Sequence, residues 1–251
     1  MNEPRLDRLS ALLAGLQPRV WLSNATQALS LHILQRRVEH HDTPATPSLD
    51  GLTLRVCPPG RGLDLDTPGT VAWMSFEVAF DGPVGDIFLD ELRDVLDIDL
   101  AQADPSLRQI VQLIASEMQA PRCGQPLLLD RAGDILLIGL LRQLVSSPQP
   151  RLRLFNGLAD PRIARTLVLM HTDPAQPWTL DSLATEAGMS RTSFANRFKA
   201  VMRVPAGKYL ETLRLAIAHR RVAQGQGLKQ VAREVGYAGA STLSRAMHRM
   251  A

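Results

Sequence analysis

Two segments of this 251-residue chain match each other at an offset of 48 residues, and that repeat constrains the fold more than any other feature. The first reads Leu183-Ala184-Thr185-Glu186-Ala187-Gly188-Met189-Ser190, the second Val231-Ala232-Arg233-Glu234-Val235-Gly236-Tyr237-Ala238. Each sets a small alanine four residues before a glycine and a glutamate two before it. Two helices that cross steeply need a small side chain at closest approach, which Ala184 and Ala232 supply. The turn between them needs a residue that accepts positive φ, which Gly188 and Gly236 supply. A second amphipathic stretch follows each turn. Phe194, Phe198 and Val201 are its apolar residues in the first copy, Leu243 and Met247 in the second. Ser190 is a good N-cap for the first of these stretches. One Ala-x-x-x-Gly is weak evidence. Two at matched positions, each followed by a basic helix, predict two helix-turn-helix units rather than a plain all-α bundle.

Charge supports that reading. Residues 160–251 hold 14 Lys and Arg against 6 Asp and Glu, or +8, while residues 1–159 hold 14 against 19, or −5. A chain split this way has one part that faces a polyanion. Between the repeats a helix is predicted from Pro205 to Ala223, opened by proline in its first turn. Its length of roughly 28 Å at 1.5 Å per residue suits readers that enter major grooves about 34 Å apart on one DNA face. The outward face of the first recognition helix offers Arg191, Thr192, Ala195, Asn196 and Lys199. The second offers Ser241, Thr242, Ser244, Arg245 and Arg249. Asparagine bonds adenine bidentately, arginine bonds guanine, and alanine or threonine methyls touch the thymine methyl. Asn196 and Arg245 are the first choices as base readers. Arg191, Lys199 and Arg249 read as phosphate clamps.

The N-terminal part has a different rhythm. An amphipathic helix is predicted over residues 5–16, with Leu6, Leu9, Leu12 or Leu13, and Leu16 on one face. Strands follow at Leu29–Val38, Leu52–Val56 and Val71–Ala79, separated by the turn signals Thr43-Pro44, Pro58-Pro59-Gly60 and Pro68-Gly69. From about Asp86 the period becomes helical. Asp104-Pro105 opens a helix over 105–119. A leucine-rich helix over 126–145 carries an apolar arc wide enough for deep burial or a second subunit. Ser146-Ser147-Pro148-Gln149-Pro150 reads as a linker, and Asp160-Pro161 starts a further helix to about His171. The fold class is therefore α+β, with a domain over 1–150 and an all-α DNA reader over 151–251.

Cys57 and Cys123 make no disulfide framework. They are structural thiols or, because Arg122 adjoins Cys123, a redox sensor. His32 and the run Glu39-His40-His41-Asp42 contain no His-x-His, and neighbours on a strand face opposite ways, so no metal or cofactor is expected. No phosphate-binding loop, zincin motif or nucleophile elbow occurs, and an enzyme is not expected. No apolar run spans a membrane and no signal-peptide pattern opens the chain, which points to the cytoplasm. Trp21, Trp73, Phe76 and Phe80 line an effector pocket or are ordinary core.

The stretch from Trp178-Thr179-Leu180 through Ser190-Arg191-Thr192-Ser193-Phe194 resembles the AraC family of transcription regulators. So do Arg197-Phe198, Pro205, Tyr209-Leu210, Val231-Ala232 and Val235-Gly236-Tyr237. Asp160-Pro161-Arg162-Ile163, His171 and Asp173-Pro174-Ala175 are similar to the subgroup whose N-terminal half is cupin-like. A fainter match runs over residues 5–145, clearest from Leu127 to Leu141. The resemblance implies a sensing or dimerising domain joined to a reader of promoter DNA, with RNA polymerase, a small-molecule effector and a second copy of the chain as partners. It puts the base-facing positions on Thr192, Ala195 and Asn196, and on Ser241, Thr242 and Arg245. The alternative is a ligand-binding or dimerising module with degenerate DNA binding. Departures fall in the second unit. Met247 replaces the usual phenylalanine, Gly239 replaces a better cap, and the family's Gly-x-Ser-Pro segment beyond the second recognition helix is missing before Ala251. That recognition helix is expected to fray. The N-terminal half also looks short for a full cupin barrel.

Overall fold

The computed structural model describes residues 7–23, 27–36, 49, 51–63 and 70–249. Its contacts divide into two compact units. One comprises residues 18–80 and 92–147, and the other joins residues up to 17, 81–91 and 148 onward.

The first unit is built on a five-stranded antiparallel sheet. Its strands are β1 (Pro18–Leu22), β2 (Leu29–Arg36), β3 (Leu52–Cys57), β4 (Thr70–Phe80) and β5 (Leu96–Asp99), in the order β1-β4-β2-β3-β5. Alternation along the strands sorts the side chains onto two faces. Val20, Leu29, Leu31, Ile33, Leu54, Val56, Phe76 and Val78 form the buried apolar face. Helix α4 (Gln125–Ser146) packs on it at β1, and α3 (Pro105–Gln119) packs in turn on α4. Gly133 of α4 sits directly against Val20 and Phe76. Asp104 caps α3 by accepting from the Ser106 N–H at 2.9 Å, ahead of Pro105. The leucine stripe of α4 is mostly used inside this unit: Leu129, Leu136, Leu137, Leu140, Leu141 and Leu144 are buried. Leu127 and Ile135 remain 64% and 46% exposed, which leaves an apolar strip uncovered.

The second unit is helical. It contains α1 (Arg8–Leu16), α2 (Gly85–Glu91), α5 (Arg153–Ala159) and α6 (Pro161–Thr172). The five further helices are α7 (Leu180–Glu186), α8 (Arg191–Met202), α9 (Ala206–Ala223), α10 (Leu228–Glu234) and α11 (Ala240–His248). Helix α1 packs along α6 and buries Leu12 and Leu16, while Arg8 donates to the Leu158 carbonyl at 2.8 Å. At the N-terminus of α5, buried Glu91 accepts from the Leu154 N–H and from Arg153 Nε, both at 3.1 Å. Burial pushes its carboxyl above the usual range, against the pull of these donors.

Several expectations are revised. The chain is not purely helical from residue 86, because β5 follows α2 and pairs with β3. Sequence patterning also passed over β1 and α5. Only Val20 of β1 is buried, so its alternation is faint, and β5 is four residues long with Asp97 and Asp99 in it. Strand β2 ends at Arg36. Leu6, Val38, the turns Thr43-Pro44 and Pro68-Gly69, and the run Glu39-His40-His41-Asp42 lie outside the described residues. The aromatic residues assigned to one pocket are separated. Phe76 and Phe80 belong to the apolar face, Trp21 lies on the opposite one, and Trp73 sits at the register shift between β2 and β4.

Candidate nucleic-acid interface

The first repeat folds as α7, a turn at Gly188, and α8. Thr179 caps α7 through a reciprocal exchange with Ser182, each residue's backbone N–H donating to the other's hydroxyl. Ala184 is buried at the helix crossing, and Gly188 takes φ +62°. Ser190 then accepts from the Ser193 N–H at 3.3 Å and starts α8. Phe194, Phe198 and Met202 form the inner face of α8. Met202 is the third anchor where Val201 was expected, because the helical period carries Val201 to a half-buried position. The ring of Phe198 packs edge-on against Phe194 at 5.6 Å and against Tyr209 of α9 at 6.0 Å. Tyr209 in turn shares a 2.7 Å hydrogen bond with His171 Nε2 of α6. Burial lowers the His171 pKa to about 4 and raises that of Tyr209, to which Glu91 adds.

With the apolar side inward, Arg191, Thr192, Asn196 and Lys199 are exposed, and Ala195 is half-buried beside them. Arg191 is already oriented by Asp181, 3.3 Å away, an exposed pair of small energetic weight. Arg197 is placed differently. Its Nε donates to Asp160 at 2.6 Å, and Asp160 also caps α6 by accepting from the Arg162 and Ile163 N–H groups. Burial would raise the Asp160 carboxyl, yet these hydrogen bonds hold it below the usual carboxylate range.

The second repeat folds as α10, a turn at Gly236 with φ +77°, and α11. Ala232 is again buried at the crossing. The two glutamates singled out by the repeat have matching work. Glu186 lies 3.5 Å from Arg165 of α6, and Glu234 pairs with Arg221 of α9. Each helix-turn-helix is thereby tied to the longer helix that precedes it. In α11 the buried residues are Leu243 and Ala246, with Met247 only half-buried. Ser241, Thr242, Arg245 and Arg249 are exposed and Ser244 is half-buried. Arg245 Nε currently donates to the Ser241 carbonyl one turn back at 3.3 Å. Helix α9 runs 18 residues, from Ala206 after the N-cap Pro205.

Sequence patterning found the outward faces and both turns. It missed Arg214 and Arg221 of α9, which reach the Pro174 and Gln176 carbonyls and Glu234 of α10, because a lone arginine in a helix carries no signal of what it will meet. The remaining titratable groups have structural settings. His32 is buried between Ser30 and Ser75 at 2.9 and 2.8 Å, and burial, then Arg55, lowers its pKa. Cys57 is buried, which raises its thiol pKa. Cys123 is exposed, but its neighbour Arg122 pairs with buried Glu117. Among the described residues, no group of three His, Cys, Asp or Glu is placed to hold a metal ion, and no helix is long and apolar enough to cross a membrane.

Known proteins share both halves. A helix-turn-helix domain family matches residues 183–251 and a cupin family matches residues 27–146. A protein named as an AraC-like transcription regulator from Streptomyces lividans is 32% identical over 171 residues, covering 66% of this chain and 55% of that one. The HTH-type transcriptional regulator AlkR of Acinetobacter baylyi is 29% identical over 144 residues, covering 57% and 47%. This chain thus spans about half the length of the curated relatives it matches. Among solved structures, ToxT from Vibrio cholerae O395 aligns over 93% of both chains, at 11% identity and a TM-score of 0.39. Its cupin segment, its helix-turn-helix segment and these relatives together support an AraC-family regulator with a cupin-like N-terminal domain.

Proposed function

We propose that this protein is a sequence-specific, DNA-binding transcription regulator that lays α8 and α11 in adjacent major grooves of promoter DNA. One observation carries the reading. Two glycine-turned helix pairs each bury an apolar face and turn a polar, basic face outward, within a segment of net charge +8. Helix α9 spans about 27 Å at 1.5 Å per residue, close to one turn of DNA at about 34 Å. Asn196 and Arg245 read bases, with Thr192, Ala195, Ser241 and Thr242 beside them. Arg191, Lys199, Ser244 and Arg249 hold phosphates. Arg245 leaves the Ser241 carbonyl on binding. Residues 1–150 serve as the sensing and dimerising part and residues 151–251 as the reader. The uncovered α4 strip at Leu127 and Ile135 supports a homodimer. The protein acts in the cytoplasm, contacts RNA polymerase, and is not an enzyme.

The test is a fluorescence-anisotropy titration of the whole chain against promoter fragments, at two salt concentrations and with random DNA as competitor. Tight, salt-steep binding that survives competitor is expected. Asn196→Ala and Arg245→Ala should each cost about 1–3 kcal/mol and relax preference at one base pair. Lys199→Ala should weaken all sequences alike and lower the salt slope by about 1. Binding no tighter than to random DNA would favour a ligand-binding module with degenerate DNA contacts.

A second role is supported by the other face of the sheet, where Trp21, Ser30, His32, Arg55, Ser75, Glu77 and Asp97 gather. Glu77 is 6% exposed and accepts from the Gln27 and Ala28 N–H groups at 3.0 and 3.2 Å. Burial would raise its carboxyl, but these bonds and those from Ser23 and Trp21 hold it ionised below the usual range. Such a face takes a polar small-molecule effector, read by quenching of Trp21 fluorescence.

A further inference from the structure

The loop that leads into the first helix-turn-helix also touches the turn of the second. Residues 173–179 connect α6 to α7. Side chains take four of this loop's backbone groups within residues 173–176. Asp173 accepts from the Gln176 N–H at 3.1 Å, and the Trp178 indole donates to the Asp173 carbonyl at 2.9 Å. The Pro174 and Gln176 carbonyls are both taken by one side chain, Arg214 at the middle of α9, through Nε at 2.7 Å and Nη2 at 2.8 Å. The loop tip meets the second unit at Gly236. A Cβ there would lie 2.6 Å from the Ala175 carbonyl oxygen and 3.0 Å from Arg214 Nη2. Gly188, at the equivalent turn of the first unit, has nothing within 4 Å of its own would-be Cβ. The absent side chain at residue 236 is therefore a docking seat as well as a turn.

The geometry points to Arg214 as a positioning residue that locks the first unit's lead-in loop onto the second unit's turn, and so fixes the one half-site spacing that both recognition helices can read together. The inference rests on the proposed DNA-reading function. A helix alone holds its two ends at a distance but leaves each attached unit free to rock about a single joint. The clamp adds a second point of attachment, from Arg214 of α9 to the Pro174 and Gln176 carbonyls. Planar guanidinium is suited to this because its rigid fork holds two carbonyls in a fixed geometry, whereas an ammonium is a compact charge with rotatable donors. The Arg221–Glu234 pair fastens α10 to α9 as well. It does not reach the first unit's loop, so it cannot set the spacing.

The experiment is a binding selection with the full chain on duplexes carrying roughly 30 base pairs, or three turns, of random sequence. It is run on the wild type, Arg214→Gln and Arg214→Lys. The wild type should return two half-sites at one spacing. Both variants should return the same half-sites spread over several spacings. Their affinity for the wild-type arrangement should fall about tenfold or more, as the effective concentration of the second reader drops. Affinity for an isolated first half-site should stay within about twofold of wild type, a pattern that general unfolding cannot produce. If Arg214→Gln does not fold, Arg214→Lys, which keeps charge, stem and helix propensity, gives the result. Variants that keep the single spacing and the wild-type affinity overturn the clamp and leave the DNA-reading function standing. A wild-type chain that enriches no DNA overturns both.

Discussion

The two helix-turn-helix units share a sequence pattern and differ in how firmly they are built. In the first, both helices have side-chain caps, at Thr179 and Ser190. In the second, Gly227 and Gly239 occupy the same positions and supply none. Helix α8 has 12 residues and two buried phenylalanines that continue through Tyr209 to α6. Helix α11 has 9 residues, buries Leu243 and Ala246, and leaves Met247 half-out. Both units keep what crossing and turning require, a buried alanine and a glycine at positive φ. Packing and capping beyond that minimum went to one unit only. A repeat therefore reports topology, while stability is set by residues outside the repeated pattern.

The comparison can be broken most forcefully in the core. Phe198→Ala should cost about 3–5 kcal/mol in urea unfolding, and Met247→Ala, being half-buried, less than about 2. Similar losses would mean that α11 is packed as tightly as α8. The His171–Tyr209 contact gives a pH test on the first unit's side. The His171 pKa in the folded chain, about 4, lies below its ordinary value of 6.5. The unfolded chain therefore binds the extra proton first, and stability falls as pH drops from about 6.5 toward 4. The slope is at most one proton, about 1.4 kcal/mol per pH unit. His171→Asn should flatten that part of a melting-temperature profile.

Alanine at the two turns sharpens the comparison. At Gly188 the cost is the left-handed backbone alone, about 1–2 kcal/mol. Gly236→Ala adds the collision with the Ala175 carbonyl, so it should cost more. Equal melting-temperature shifts would remove the asymmetry. The caps give the smallest effect. Ser190→Ala should lose about 1 kcal/mol, whereas Gly239→Ser should gain a few tenths. Backbone amides of α11 should exchange with solvent faster than those of α8, until Gly239→Ser narrows the gap.

What the sequence made legible follows the same division. Ala184, Gly188, Ala232 and Gly236 announce themselves because steric needs of the backbone are local and few residues meet them. Asp104-Pro105 and Asp160-Pro161 mark helix starts for the same reason, and both cap as expected. The outward faces of α8 and α11 could be drawn from helical period alone. Long-range partnerships could not. Nothing near Arg214 in sequence says that its guanidinium will meet carbonyls 38 and 40 residues earlier. Nor does the apolar face of α1 say that its cover is α6. Strand β1 was invisible because an edge position with one buried residue barely alternates.

That last pairing bears on how the protein is made. Helix α1 and α2 belong to the same compact unit as residues 148 onward, so the sheet unit is threaded between pieces of its neighbour. As the chain leaves the ribosome, α1 emerges with Leu12 and Leu16 uncovered and waits through more than a hundred residues for α6. The sheet and its two helices can close first, drawing residues 17 and 81 together, as the Asp81 N–H to Gln17 carbonyl bond at 3.1 Å shows. By the time the second repeat is translated, α6 is available to cover α1. A fragment cut at residue 151 would lack that helix and would expose the side of α6 that it covers.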